Sequence, residues 1–322
     1  MPVRPPPVPA KLIFHLERRA LEQDMKAITY TEFGGPEVLR LEEVGEPHAG
    51  PGQVRLKVVA AGVNPLDSKI RSGRRPQMAP PFPVIPGVEA AGVVDEVGEG
   101  VTGVAVGDEV LGWTVTGAYA EHALAVDFGP KPADLDWDLA AALPVAVETS
   151  VRVLDALGVG EGDTLLLHGA AGVTGAVGVQ LAVARGATVI GTASPGNHDY
   201  LRSLGAIPVA YGTGLADRVR EAAPQGIDAV YDAAGAGDLE VSIDLLSGTD
   251  RIITIADPKA AELGVTFSGP APFGSRLGEY ARLAADGKLT VRIAQSLPLE
   301  DAAKAQELSA SGHAAGKLVL RP

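Results

Sequence analysis

Gly169-Ala170-Ala171-Gly172-Val173-Thr174-Gly175 is where residue type and spacing speak most directly of chemistry. A β-rich run, Thr164–His168, leads into it, and a helical pattern, Thr174–Arg185, leads out. The spacing G-x-G-x-x-G falls on Ala170, Gly172 and Gly175, with alanine in the first place. Gly172 lets backbone approach a pyrophosphate, and Gly175 lets the helix pack on the strand. The start of the helix, at Val173 and Thr174, supplies N–H groups without intrahelical acceptors and a partial positive charge for phosphates. This arrangement predicts a dinucleotide site.

About twenty residues after such a loop, an NAD site carries Asp or Glu for the ribose 2′-hydroxyl. Here the sequence is Thr192-Ala193-Ser194-Pro195-Gly196-Asn197-His198, with no carboxylate. An acid would repel a 2′-phosphate, whereas Ser194, Asn197 and His198 can donate hydrogen bonds to it. NADPH is therefore the expected cofactor. Tyr211, just after the third strand of this region, either packs against the ribose or adenine or is a strand-end surface tyrosine.

The elements that must hold these residues fall into two patterns. From Lys26 to about Gly129, short β-rich runs such as Gln53–Ala60, Ala91–Val97 and Asp108–Leu111 alternate with Gly/Pro turns, as in a β-barrel. After Asp136, strands at Thr188–Thr192, Ala229–Asp232 and Arg251–Ile255 alternate with helices at His198–Leu204 and Leu239–Leu246. Repeated β–α units imply a parallel, doubly wound sheet. The last stretch carries a helix from about Ser275, a strand near Val291–Leu297, a helix at Glu300–Ser309 and a strand at Lys317–Leu320 that fit the parallel sheet poorly. Residues 1–24, proline-rich and then helical, read as an extension without a part in the chemistry, since strand patterning begins only at Met25.

Composition narrows the functions. With 322 residues the chain has room for two domains. Its 40 acidic side chains against 27 basic ones give a net charge of −13, which disfavours nucleic acid and anionic lipid as partners. No cysteine is present, so disulfides, cysteine-ligated zinc and thiol nucleophiles are excluded. Charge or glycine interrupts each apolar stretch before ~20 residues, and the N-terminus has no signal-like apolar core, so a cytoplasmic protein off the membrane is expected.

Four motifs occur in order: Ala60-Ala61-Gly62-Val63-Asn64-Pro65-Leu66-Asp67, then Ile85-Pro86-Gly87-Val88-Glu89-Ala90-Ala91-Gly92, the glycine loop, and Gly316-Lys317-Leu318-Val319-Leu320. Together they resemble the zinc-independent medium-chain dehydrogenases/reductases, in the quinone oxidoreductase or ζ-crystallin-like branch that also holds enone reductases. The resemblance runs from Met25 to Pro322. It implies an α/β fold in which a GroES-like β-barrel domain, residues 25–144 and 271–322, is joined to a Rossmann doubly wound parallel sheet, residues 145–270. The active cleft is expected between them, and relatives are often homodimers.

Zinc-dependent relatives carry Cys where this chain has Asn64 and His where it has Val88, so no metal is expected. Glu89, without a metal shell, is expected to hold the turn at Gly87. The resemblance also places Lys69 beside the nicotinamide, where many quinone-reductase relatives have Tyr. An ammonium there could stabilise an enolate oxygen and deliver a proton, or it could be a solvated lysine on a short helix. Asn64 offers an amide donor and acceptor to a ribose hydroxyl or substrate carbonyl, or shapes the turn before proline. By family position Thr149, Ile255 and Phe267 border the nicotinamide. His168 reads as structural, and Trp113 and Tyr119 belong either to a substrate mouth or to the barrel core.

The expected function is an NADPH-dependent reductase of quinones or α,β-unsaturated carbonyls, working by hydride transfer without metal on a small-molecule substrate. The alternatives are a dinucleotide-binding protein with little turnover and an enoyl reductase served by a carrier protein, the latter disfavoured by the acidic charge.

Overall fold

The computed structural model describes residues 24–274, 276–312 and 314–322. The extension read at 1–24 lies outside them except for Asp24, which already opens the first strand and pairs with Gly45.

The barrel domain comprises β1 (Asp24–Thr29), β2 (Arg40–Gly45), β3 (Val54–Val63), α1 (Pro65–Arg71), β4 (Glu89–Val97), β5 (Glu109–Thr114) and β6 (His122–Pro130). Strands β3 to β6 pair in sequence order, and β6 returns to β3 through Val54↔Ala125, so no free edge remains between them. Two helices, α2 (Trp137–Ala142) and α3 (Pro144–Leu157), carry the chain to the second domain. Pro144 at the first position and left-handed Gly158 at the end bound α3 sharply.

The Rossmann domain is β7 (Thr164–His168), α4 (Val173–Ala184), β8 (Thr188–Ala193), α5 (His198–Ser203), β9 (Ile207–Ala210), α6 (Leu215–Ala222), β10 (Ala229–Asp232), α7 (Leu239–Leu246), β11 (Ile252–Thr254) and β12 (Thr266–Phe267). Its strands are all parallel in the order β12-β11-β10-β7-β8-β9. Leu165, Leu166 and Leu167 are fully buried, the continuous apolar run of a strand covered on both faces.

Then come α8 (Arg276–Ala285), β13 (Ile293–Pro298), α9 (Ala302–Ala310) and β14 (Lys317–Arg321). Strands β13 and β14 run parallel to each other, but β14 joins β3 antiparallel, Leu318 facing Val63, so the last segment completes the barrel sheet. Ala60 and Leu111 of the barrel share one buried cluster with Leu165 and Leu167. This common core clamps the two domains and fixes the cleft between them. Among the described residues, no helix is long and apolar enough to cross a membrane.

Candidate active site

A cleft of about 610 Å³ lies between the domains, within the range of small-molecule sites. It opens at the carboxyl ends of β7, β8 and β10, where the strand order reverses, the place where doubly wound sheets bind ligands. One wall is the glycine turn, Gly172 to Gly175; the facing wall is Val63 and Asn64 with Gly316 and Lys317. Gly172 caps α4 in extended geometry, and an added Cβ there would meet only the Gly169 oxygen, at 3.3 Å. A Cβ at Gly175 would collide with that oxygen and with Ala170. The first position is thus open toward the cleft and the second is packed. Together with the free first-turn N–H groups, this fits a dinucleotide pyrophosphate.

At one end of the cleft stand Ser194, Asn197 and Tyr211. Asn197 Nδ2 donates to Ser194 Oγ at 3.1 Å. Asp199, the first acid after β8, pairs with Arg202 at 2.6 Å on the surface of α5 and does not line the cleft. His198 turns away: its Nε2 faces the Ala193 carbonyl at 3.4 Å, and it is not part of the lining.

The facing wall is a buried polar cluster. Lys317 Nζ donates to Asn64 Oδ1 at 2.8 Å and to Glu89 Oε1. Asn64 Nδ2 donates to the same Glu89 oxygen at 2.7 Å, and the Val145 N–H donates to Glu89 Oε2 at 2.8 Å. Since lysine only donates and a carboxylate only accepts, the orientation of the Asn64 amide is unambiguous. Asn64, Glu89 and Lys317 are all buried. Glu89 therefore does not hold the turn at Gly87 as expected from the sequence; it ties β3, β14 and the start of α3 together. Gly62 leaves room for it, because a Cβ there would strike the Glu89 carboxylate.

Lys317 is a cleft-lining residue to which sequence reasoning gave no part in the site. Nothing in its local sequence signals that part: a lysine opening the apolar strand Lys317-Leu318-Val319-Leu320 reads as a solvated strand end.

Beneath Asn64, Asp67 accepts the Asn64 N–H at 2.8 Å and the Tyr119 hydroxyl at 2.8 Å, both on Oδ2. Burial pushes the Asp67 carboxyl up to about 6, against the pull of these two bonds. Burial also raises the Tyr119 hydroxyl well above its ordinary value, with the Asp67 charge adding to it. Tyr119 is thus a core residue rather than an open substrate-mouth residue. Trp113 is half-buried on β5, outside the cleft lining.

Lys69 lies half-buried on α1, outside the cleft lining, and has no carboxylate within ion-pair distance among the described residues. Burial lowers its pKa, and the neighbouring Arg75 and Arg74 charges lower it further. The Arg75 backbone N–H donates to the Lys69 carbonyl at 3.0 Å, and its guanidinium lies 5.2 Å from the ring centroid of Phe267 on β12. Arg75 therefore meets the Rossmann sheet at its β12 edge. Thr149 is buried on α3 with its hydroxyl on Glu148 at 3.3 Å, Ile255 packs against the common core, and neither lines the cleft. His168 is fully buried, its Nε2 2.8 Å from Ser242 Oγ, and burial lowers its pKa; this agrees with a structural role.

The sequence has known relatives. Residues 50–127 match the alcohol dehydrogenase GroES-like domain, and residues 204–320 match the zinc-binding dehydrogenase domain. A quinone oxidoreductase of Lama guanicoe is 34% identical, covering 92% of this chain and 97% of that protein. A 2-methylene-furan-3-one reductase of Solanum lycopersicum is 33% identical, covering 94% and 80%. The solved structure of a quinone oxidoreductase from Coxiella burnetii superposes with a TM-score of 0.83 at 31% identity, covering 93% of this chain and 100% of that one. Among the described residues, no group of three or more His, Cys, Asp or Glu side chains is placed to hold a metal ion. The chain belongs to the medium-chain dehydrogenase/reductase family, which binds a nicotinamide dinucleotide, and is an oxidoreductase of its quinone oxidoreductase branch.

Proposed function

We propose that this chain is a cytoplasmic NADPH-dependent reductase of quinones or α,β-unsaturated carbonyls. The observation that carries this reading is the cleft itself, with an open glycine turn on one wall, a loop after β8 that brings Ser194 and Asn197 but no carboxylate to the lining, Asp238 as a lining acid beyond β10, and the Asn64–Lys317 pair opposite. The bound nicotinamide would supply the hydride. The protein's part is to bind the phosphates at the first turn of α4, to orient the ribose and substrate against Asn64, and to hold positive charge near the developing oxyanion. With Asn64 and Val88 in place of metal ligands, that charge must come from side chains. A homodimer joined through the exposed edge strand β12 belongs to the same reading. Consumption of NADPH against a panel of quinones, enals and enones tests it; binding without turnover across the panel would overturn it.

Cofactor preference follows from the absence of a carboxylate between Thr192 and His198. NADPH should bind more tightly than NADH in a fluorescence titration, and equal affinities would reject this reading of the loop. Ser194→Asp should weaken NADPH on the order of tenfold while sparing NADH, since like charges about 4 Å apart repel by about 1–4 kcal/mol in wet surroundings.

Lys69, half-buried on α1 with the Arg75 charge near it, is proposed to face the oxyanion side of the substrate. Lys69→Met should lower kcat and kcat/KM together, by roughly 10–1,000-fold, with NADPH affinity unchanged. Wild-type turnover would remove Lys69 from the chemistry, and weaker NADPH binding alone would assign it to the cofactor.

A further inference from the structure

A second cavity, of about 190 Å³, lies in the barrel domain and shares no lining residue with the interdomain cleft. Its walls are mainly apolar and include Ile70, Val84, Ile85 and Val88, with Tyr30 and Asp67 as polar-tipped members. Exposed Met78 and Val115 form part of its rim, and Phe82, also exposed, packs edge-on against Tyr30 with ring centroids 5.9 Å apart.

Asp67 carries the argument. Only 2% of this residue is exposed, and both of its incoming hydrogen bonds, from the Asn64 N–H and the Tyr119 hydroxyl, end on Oδ2. Oδ1 is buried with no partner. A buried carboxylate oxygen without a donor is costly, and such exceptions call for an account. Val88, at the position where zinc-dependent relatives carry a histidine, lines the same cavity and offers no donor.

Two features define what would satisfy Oδ1. The first is polarity: the cation that acts on Asp67, Lys317, lies outside this cavity and is already bound to Asn64 and Glu89. Apart from Asp67 the lining carries no charged side chain, so a cation would be stripped of its water against apolar walls, and the fitting partner is a neutral donor. The second is size: an apolar cavity of about 150 Å³ suffices for a benzene ring.

We propose that this cavity binds a neutral single-ring molecule carrying one hydroxyl, a phenol, whose O–H donates to Asp67 Oδ1 while its ring lies against Val84, Ile85 and Val88. The proposal is independent of the reductase reading, because its site and its test involve neither cofactor nor turnover.

The test is binding of phenol and toluene to the full chain, followed by NMR line shifts in mildly alkaline buffer, above the value of about 6 that burial gives this carboxyl. A purely apolar cavity prefers toluene, because phenol must leave its hydrogen bonds to water behind. The expected result is the reverse, phenol binding roughly tenfold or more tightly than toluene. Asp67→Asn keeps the shape and, through its amide oxygen, the bonds from Asn64 and Tyr119, but turns a donor into the cavity in place of Oδ1. It should weaken phenol by roughly tenfold and strengthen benzaldehyde, which only accepts. Val88→Met, which fills the cavity without touching Asp67, should weaken phenol and toluene alike. Toluene binding as well as phenol in the wild type, or phenol binding unchanged in Val88→Met, would overturn the proposal. Both measurements stand even if Asp67→Asn fails to fold.

Discussion

Lys317→Met should cost about 3–5 kcal/mol of folding stability, read as a lower urea midpoint, because it leaves the buried Glu89 carboxylate without its cation. Glu89 would keep only the Asn64 amide and the Val145 N–H as donors. The Asn64 carbonyl would lose its donor as well, leaving the amide held only through its Nδ2 bond to Glu89. Dinucleotide affinity and turnover should fall with stability. Adding Glu89→Gln to Lys317→Met should recover a large part of the loss, since a neutral amide is far cheaper to bury than an unpaired carboxylate. A single-variant loss below about 1 kcal/mol would show that the ion pair contributes little beyond what a protonated Glu89 would.

Gly172 and Gly175 should separate fold from function. The Cβ of Gly172→Val meets only the Gly169 oxygen, at 3.3 Å, and the backbone there is extended, so the urea midpoint should stay near wild type. Its branched side chain would stand where the pyrophosphate must approach, and dinucleotide affinity should fall roughly 100-fold, about 2.7 kcal/mol. Gly175→Ala instead forces a Cβ into the Gly169 carbonyl and Ala170. It should cost about 1–3 kcal/mol of stability through overpacking, with cofactor binding lost as a consequence of the displaced turn. Wild-type NADPH affinity in Gly172→Val would move the pyrophosphate away from this loop.

Much of the Rossmann domain was legible because its signals are local. Thr164–His168, Ala229–Asp232 and Leu239–Leu246 match the observed elements residue for residue, each being a short apolar or amphipathic run with aspartate, glycine or serine at or beside its ends. The glycine turn was legible for the same reason: strand, loop and helix follow one another within about twenty residues. Helix α6 was not read, although its apolar residues Leu215 and Val219 lie on one face, because a single i,i+4 pair among charged residues gives a weak period. Of the residues singled out near the cofactor, Ser194, Asn197 and Tyr211 line the cleft. His198 does not, because a residue type says what it can donate and not which way the first turn of α5 points it.

The sequence by itself determined the two domains, the dinucleotide turn, the missing acid after β8 and the missing metal ligands, all of which are properties of residue type and short spacing. Only the tertiary structure decided the facing wall. Asn64 and Lys317 are 253 positions apart, and nothing in either neighbourhood pairs them. They meet because β14 returns to β3 in the register Leu318↔Val63, which sets the strand-opening lysine beside the residue that follows β3. Glu89 is added from β4 by the next pairing across the sheet, Ala61↔Ala90. The same is true of the unpartnered Asp67 oxygen, which exists because Tyr119 and Asn64 both approach from one side. Long-range register and burial convert an ordinary lysine and aspartate into charged groups held in the core, and neither is written in local sequence.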